Sequence, residues 1–233
     1  MPPPRQLDVP NLAIVIAAAG CGGRFGSDKM FERLGGRTVL ETAVSALREA
    51  MPTVPMVVVV ATEMLETSRA LLEAESPSTV VIAGGNRRQD SVRRGVDAAL
   101  ALGVDTVAIH DGARPVIHPD DVRAVVGAIE GADGAILCGS VPDTVKRVSK
   151  NGAVRETIDR NQLRLAQTPQ VFRVAALEKA WAACDFGRDW SDEAAALEAA
   201  GFEVRCVEAK HPNPKVTTIA DLEVVRALIG DDS

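Results

Sequence analysis

A run of glycines and cations follows the first apolar stretch of the chain: Ile14-Val-Ile-Ala-Ala-Ala-Gly20-Cys-Gly22-Gly23-Arg24-Phe-Gly26-Ser-Asp-Lys29. Glycines let a backbone turn sharply and bring its N–H groups close to a ligand. Arg24 and Lys29 add full positive charge beside those donors, the combination that a polyphosphate needs. Two familiar phosphate loops fail on spacing. A dinucleotide fingerprint has glycine at its first, third and sixth positions, and counting from Gly20 and Gly22 the sixth place is Phe25. A P-loop ends in Gly-Lys-Ser/Thr, whereas Lys29 stands between Asp28 and Met30. The stretch is a candidate nucleotide triphosphate site, and its bland alternative is a glycine-rich surface turn.

Other residues add chemistry. Asp111 follows a buried-looking strand, where a carboxylate can hold Mg²⁺ or a substrate hydroxyl, or can simply cap the next turn. Arg114 is placed to bind a phosphate or to pair with Asp111. Gly84-Gly85-Asn86-Arg87-Arg88 leads to Ser91 near a helix start, and helix starts bind anions and polar base edges. Arg87 is equally readable as a solvated charge. Thr144, Lys146, Arg147 and Arg160 lie in or after a charged hairpin, more often a solvated edge. Lys215, in Asn213-Pro-Lys-Val-Thr217, reads alone as a surface lysine. Ser191-Asp-Glu193 reads as a helix N-terminus with a mainly structural role.

Strands and helices must position these groups. Leu12–Ala19, Met56–Ala61, Thr79–Ala83, Asp105–Ile109 and Gly134–Cys138 read as buried strands, rich in Val, Ile and Ala. Val39–Ala50, Glu63–Glu73, Ser91–Leu102 and Asp121–Ile129 read as intervening helices, the last started by Pro119 and Asp120. This alternation predicts a mainly parallel sheet with helices on both faces, whose ligands bind beyond the carboxyl ends of the strands. The glycine loop, the Gly84 loop and His110-Asp111-Gly112-Ala113-Arg114-Pro115 each follow a strand and should converge on one sheet edge. From Val141 to Ala166 the alternation stops, and Thr144–Val148 with Val154–Ile158 reads as a hairpin turning at Asn151-Gly152. Helices at Arg173–Ala183 and Asp192–Ala200, a strand at Glu203–Glu208 and a helix from Ile219 follow.

Composition sets bounds. The chain has 233 residues, 46% of them hydrophobic and 25% charged, which fits one soluble globular domain over 11–233 after a loose tail at 1–10. With 26 basic against 32 acidic residues, general binding to nucleic acid or an anionic membrane is disfavoured. An anionic ligand must instead be held by a local cluster of cations. Cys21, Cys138, Cys184 and Cys206 stand far apart without a Cys-x-x-Cys pair, so reduced thiols in a cytoplasmic protein are expected. His110, His118 and His211 are similarly scattered, which argues against a zinc site. The start lacks the apolar core of a signal peptide, and no run spans a bilayer.

The ordered series AAAGCGGRFG, GGNRRQDSV, HDGARP, DTVKR, DRNQL, TPQVF, SDEAAALE and PKVT resembles the 2-C-methyl-D-erythritol 4-phosphate cytidylyltransferase family of non-mevalonate isoprenoid synthesis. The likeness runs from about Leu12 to Leu228. It implies an α/β fold: a Rossmann-like nucleotidyltransferase core with a mainly parallel twisted sheet, plus a projecting β-hairpin arm at about 141–166 that joins a homodimer. It implies transfer of the cytidylyl group of CTP to methylerythritol phosphate, with Mg²⁺ as cofactor and pyrophosphate as the leaving group. By the same resemblance Arg24, Lys29 and Lys215 are catalytic. Ala18, Ala19, Gly20, Gly22, Gly84, Gly85, Arg88, Ser91, Asp111 and Gly112 bind CTP. Asp111, Arg114, Thr144, Arg160, Thr168 and Lys215 bind the polyol phosphate, with Thr144 and Arg160 reaching the neighbouring subunit's substrate, and Asp111 lies near the metal. The chain departs from the family pattern at Asp28-Lys29-Met30, where Pro-Lys-Gln is common, at Ala17, where proline is frequent, and at Gly112-Ala113, where a pair of alanines follows the motif aspartate.

A related enzyme that activates ribitol 5-phosphate is the nearest alternative, since both acceptors are short phosphorylated polyols. A nucleotide-binding regulator without activity is an alternative of another class. It would keep the glycines and lose the catalytic cations, which are present here.

Overall fold

The computed structural model describes residues 11–20, 29–75, 78–184 and 189–230. Leu12–Ala18 forms β1, where Leu12, Ile14 and Ile16 face one side of the sheet and Ala13 and Val15 the other. This period of two, apolar on both sides, puts β1 at the centre. A two-residue pair, β2 (Arg33–Leu34) and β3 (Arg37–Thr38), leads to helix α1 (Val39–Ala50), started by a capping box between Thr38 and Glu41. The chain continues through β4 (Met56–Val60), α2 (Leu65–Glu75), β5 (Thr79–Ala83), α3 (Arg88–Leu100), β6 (Thr106–Asp111), α4 (Pro119–Gly127) and β7 (Gly134–Gly139). These elements match the predicted alternation, with β5 as expected and no end shifted by more than three residues. Then come β8 (Val145–Val148), β9 (Val154–Ile158), β10 (Leu165–Arg173), α5 (Val174–Ala183), α6 (Glu193–Ala199), β11 (Val204–Glu208) and α7 (Ile219–Ile229).

The main sheet has seven strands in the order β11-β7-β10-β6-β1-β4-β5. Its pairs are parallel except at β10, which runs antiparallel to both β6 and β7. Strand β10 was not expected from the sequence. Gln167, Thr168 and Gln170 interrupt its apolar pattern, and a proline argues against a central strand. The fold accommodates Pro169 at a register break between Ala166 and Gln170, where pairing with β7 lapses and pairing with β6 has not begun.

One face of the sheet is covered by Leu40, Val44 and Leu47 of α1 and by Val122, Val125 and Val126 of α4. The other is covered by Val92 and Val96 of α3, Leu177 and Trp181 of α5 and Leu197 of α6. Helix α7 packs through Leu222 and Val225 on Leu34, Val39 and Val216. Strands β8 and β9 form the expected hairpin, with Gly152 in the left-handed conformation (φ 82°) that its turn requires. Val148 and Val154 are exposed on this arm.

One expectation is corrected. Cys138 and Cys206 are joined by a disulfide, their Cα atoms 6.1 Å apart. The sequence separation of 68 residues hid the pairing, which follows from β7 and β11 being neighbours. The argument from reduced thiols to a cytoplasmic setting therefore falls. Cys184 is a free thiol, and Cys21 lies outside the described residues.

Helix α3 lies unusually close to the sheet. A Cβ at Gly95 would sit 2.4 Å from Val15 Cγ1 and 2.8 Å from Val59 Cγ2, and both valines are fully buried. Gly95→Ala therefore destabilises the protein by about 1–2 kcal/mol, overpacking outweighing the better helix propensity of alanine. Gly36→Ala, where nothing lies within 4 Å, is the control and stays within about 0.5 kcal/mol of wild type. Urea unfolding checks both, and unchanged stability in Gly95→Ala contradicts this packing.

Candidate active site

The Gly84 loop and the loop after β6 converge at the carboxyl ends of β1, β5 and β6 with Gly20 and Lys29, the described ends of the glycine loop. Ala19 and Gly20, then Gly85, Arg88 and Ser91, then Asp111 line one cleft of about 590 Å³, which Lys29 and Lys215 complete. A second cleft of about 400 Å³ is lined by Arg114, Gln167, Thr168, Gln170 and Asp192. Arg88, Asp111 and Lys215 belong to both, so one wall of charged side chains separates two binding spaces.

Backbone packing explains the shape of the first cleft. A Cβ at Gly84 would lie 2.5 Å from Ala19 Cβ and 2.7 Å from Ser91 Oγ, so only glycine lets the two loops approach this closely. Ser91 Oγ accepts from Gly85 N at 3.0 Å and donates to the Arg87 carbonyl at 3.1 Å. The hydroxyl predicted to read the nucleotide thus also pins the loop. Ala18, Gly84 and Gly112 are buried immediately behind the cleft wall, with Gly112 N bonded to the Ala17 carbonyl at 3.0 Å. Arg87 is not a lone surface charge, since its guanidinium bonds Asp90 at 2.8 and 3.0 Å.

Asp111, at the end of β6, is the centre of the wall and is 7% exposed. Lys215 Nζ donates to its Oδ2 at 2.8 Å, Arg114 Nε lies 3.7 Å from Oδ2, and Arg88 Nη2 lies 3.5 Å from Oδ1. Burial opposes the charged form of Asp111, but Arg88 and Lys215 hold its carboxyl well below the usual carboxylate range. Lys215 is brought there by Asn213–Thr217, anchored where Val216 N donates to the Ala113 carbonyl at 2.8 Å and Arg114 Nη1 to the Asn213 carbonyl at 2.7 Å. With Lys29, the local charge favours an anion although the whole chain carries a formal net charge of −6.

Thr168 stands at the irregular stretch of β10. Its Oγ1 accepts from Asp111 N at 3.0 Å and faces His110 Nδ1 at 3.2 Å, while His110 Nε2 faces the Arg114 carbonyl at 3.0 Å. A carbonyl only accepts, so Nε2 carries the proton and Nδ1 takes the Thr168 hydroxyl. Burial pushes the His110 pKa down to about 4 and keeps the ring neutral. Sequence reading missed this role, because a lone histidine in a strand carries no spacing signal.

Glu193 was also undervalued. Asp192 is the expected N-cap of α6, accepting from Ala195 N at 3.0 Å. Glu193, 4% exposed, instead binds Arg88 Nη1 through both carboxylate oxygens at 2.8 and 2.9 Å. Thr144 and Arg160 line neither cleft. Thr144 is exposed ahead of β8, and Arg160, exposed after β9, donates to the Pro142 carbonyl. Gly22 and Arg24 lie outside the described residues.

Comparison with known proteins settles the lineage. The family model described as 2-C-methyl-D-erythritol 4-phosphate cytidylyltransferase matches residues 12–231. The chain belongs to this family. A protein of that name from Rhodococcus jostii is 38% identical over 218 residues, covering 92% of this chain and 93% of its own. A Rhodospirillum rubrum protein named bifunctional enzyme IspD/IspF is 39% identical over 216 residues, covering 91% of this chain. The chain spans 56% of that relative's length, and the same share of a bifunctional relative from Paramagnetospirillum magneticum. The crystal structure of 2-C-methyl-D-erythritol 4-phosphate cytidylyltransferase from Thermus thermophilus superposes with TM-score 0.74 at 33% identity, covering 94% of this chain and 98% of that one. Among the described residues, no helix is long and apolar enough to cross a membrane.

The buried His110 makes stability depend on pH. Its folded pKa of about 4 lies below the usual value near 6.5, so the unfolded chain binds the extra proton between those limits. Stability therefore falls as pH drops through that window, by about 3 kcal/mol from this group, and the contribution is flat below it. Unfolding of wild type and His110→Gln across this range, without nucleotide or divalent ions, tests the assignment. The wild-type decline should be steeper, and parallel declines contradict a neutral buried His110.

Proposed function

We propose that this chain joins CTP to 2-C-methyl-D-erythritol 4-phosphate, giving 4-diphosphocytidyl-2-C-methyl-D-erythritol and pyrophosphate. The observation that carries the proposal is the pair of clefts sharing the Arg88–Asp111–Lys215 wall in a member of this family. The first cleft takes CTP, its cytosine end against Gly85 and Ser91 and its triphosphate toward Gly20, Lys29 and Lys215. A pocket whose polar groups match the pyrimidine edge rejects the larger purines. The second takes the polyol phosphate, with Thr168 and Arg114 on its far side. An oxygen of the acceptor phosphate attacks the α-phosphorus of CTP in line. The bond from that phosphorus to the bridging oxygen breaks, and pyrophosphate departs with the electron pair. No covalent enzyme intermediate is involved, so rate enhancement comes from positioning and from cations that meet the developing charge. Lys29, Lys215 and, by resemblance, Arg24 supply that charge.

Asp111, a carboxylate at the cleft wall, would hold a Mg²⁺ ion. Such sites need one or two carboxylates, and no group of three metal-ligating side chains occurs among the described residues. When bound, the ion would neutralise triphosphate charge. The protein acts as a homodimer joined by the β8–β9 arm. Support comes from that arm's exposed Val148 and Val154, because an isolated two-stranded ribbon is marginal alone. Thr144 and Arg160, remote from their own clefts, then face the partner's acceptor. CTP is supplied inside the cell, which supports a cytoplasmic location.

Pyrophosphate release tests the reading. With Mg²⁺, purified protein should turn over CTP with methylerythritol phosphate and give little with ribitol 5-phosphate, ATP or GTP. Lys215→Ala should lower kcat by on the order of 10²–10³ while the fold is retained. Preference for ribitol 5-phosphate would keep the chemistry and overturn the acceptor. Silence with both acceptors from folded protein would overturn the activity.

A further inference from the structure

The Arg88 guanidinium is committed at one end and held off at the other. Its Nη1 bonds both oxygens of Glu193 at 2.8 and 2.9 Å, whereas its Nη2 stands 3.5 Å from Asp111 Oδ1. Charge-assisted bonds ordinarily close to about 2.7–2.9 Å, so the second contact is a stand-off. Lys215 and Arg114 both approach the other oxygen, Oδ2. Oδ1 is faced by Arg88 Nη2 alone, through this longer contact.

Glu193 is itself firmly placed. It opens α6 directly after the N-cap Asp192, whose Oδ2 accepts from Gln170 Nε2 at 2.9 Å. Gln170 is buried on β10, so the backbone carrying Glu193 is tied to the sheet. Arg88 remains charged: burial opposes its protonated form, and the carboxylates of Glu193 and Asp111 more than restore it. A permanently charged guanidinium released from Glu193 would find Asp111 as its nearest carboxylate.

We infer that Glu193 is a positioning residue that anchors Arg88 where the two clefts meet and keeps it from closing on Asp111 Oδ1. Glu193 touches no substrate and acts through Arg88. The inference rests on the proposed reaction for its kinetic consequence, but not for its structural one. A helix-to-helix staple with no effect on the site is the alternative to exclude.

Two measurements on the full chain decide it. A crystal structure of Glu193→Gln should show Arg88 within about 3 Å of Asp111 Oδ1. Arg88 unmoved would overturn the inference whether or not the protein turns over. In steady-state kinetics, Glu193→Gln should lower kcat by on the order of tenfold to a hundredfold, with KM for CTP nearly unchanged, because the base end of the cleft lies at Gly85 and Ser91. In an Arg88→Met background the same change should have less than about a twofold effect, the signature of one residue acting through another. Equal losses in both backgrounds would mark a structural staple and overturn the inference. Glu193→Asp, which keeps the charge, should recover part of the loss and provides a folded comparison if the glutamine variant is unstable. Wild-type protein that releases no pyrophosphate refutes the proposed reaction, while the crystallographic result still decides the role of Glu193.

Discussion

A carboxylate withdrawn from water beside three cations is the constraint on which the rest of this structure turns. Removing Asp111 from solvent costs several kcal/mol on its own, and only the convergence of Lys215, Arg114 and Arg88 makes the ionised form tolerable. Each cation arrives on a different element: Lys215 on the segment before α7, Arg114 on the loop after β6, and Arg88 at the start of α3. The fold is therefore required to bring distant parts of the chain together within a few ångströms at one sheet edge. The electrostatic result is local. A chain with more acidic than basic residues still presents a cationic wall to its clefts.

Strand β10 makes this arrangement possible. Inserted antiparallel between β6 and β7, it carries Thr168 to the end of β6, where the hydroxyl bonds Asp111 N and the neutral His110. Further along the strand, Gln170 meets Asp192 and so fixes Glu193. The register break that admits Pro169 is thus also what frees Thr168 from the ladder to meet Asp111. Local irregularity and the geometry of the site are the same feature.

Much of this was legible in the sequence. Apolar runs alternating with amphipathic stretches specified the parallel sheet, and glycines placed after strands located the clefts at its carboxyl edge. Asp111, Arg114 and Lys215 were named from motif and resemblance, and all three meet. What was not legible depends on tertiary neighbours. Cys138 and Cys206 pair because β7 and β11 are adjacent, which no spacing rule reveals. Strand β10 was hidden by its proline and its polar residues. Glu193 looked like an ordinary helix start, since nothing local announces that Arg88, more than a hundred residues away, lies opposite it. The arm was read correctly as a hairpin, on which Val148 and Val154 are exposed.

The central claim is that the strand-end clefts form one site divided by the Arg88–Asp111–Lys215 wall. A crystal structure with bound CTP tests it most directly. The account predicts cytosine beside Gly85 and Ser91, and a triphosphate turned toward Gly20, Lys29 and Lys215, leaving the Thr168 cleft open for the acceptor. A nucleotide lying in the Thr168 cleft, or away from Asp111 altogether, would contradict it.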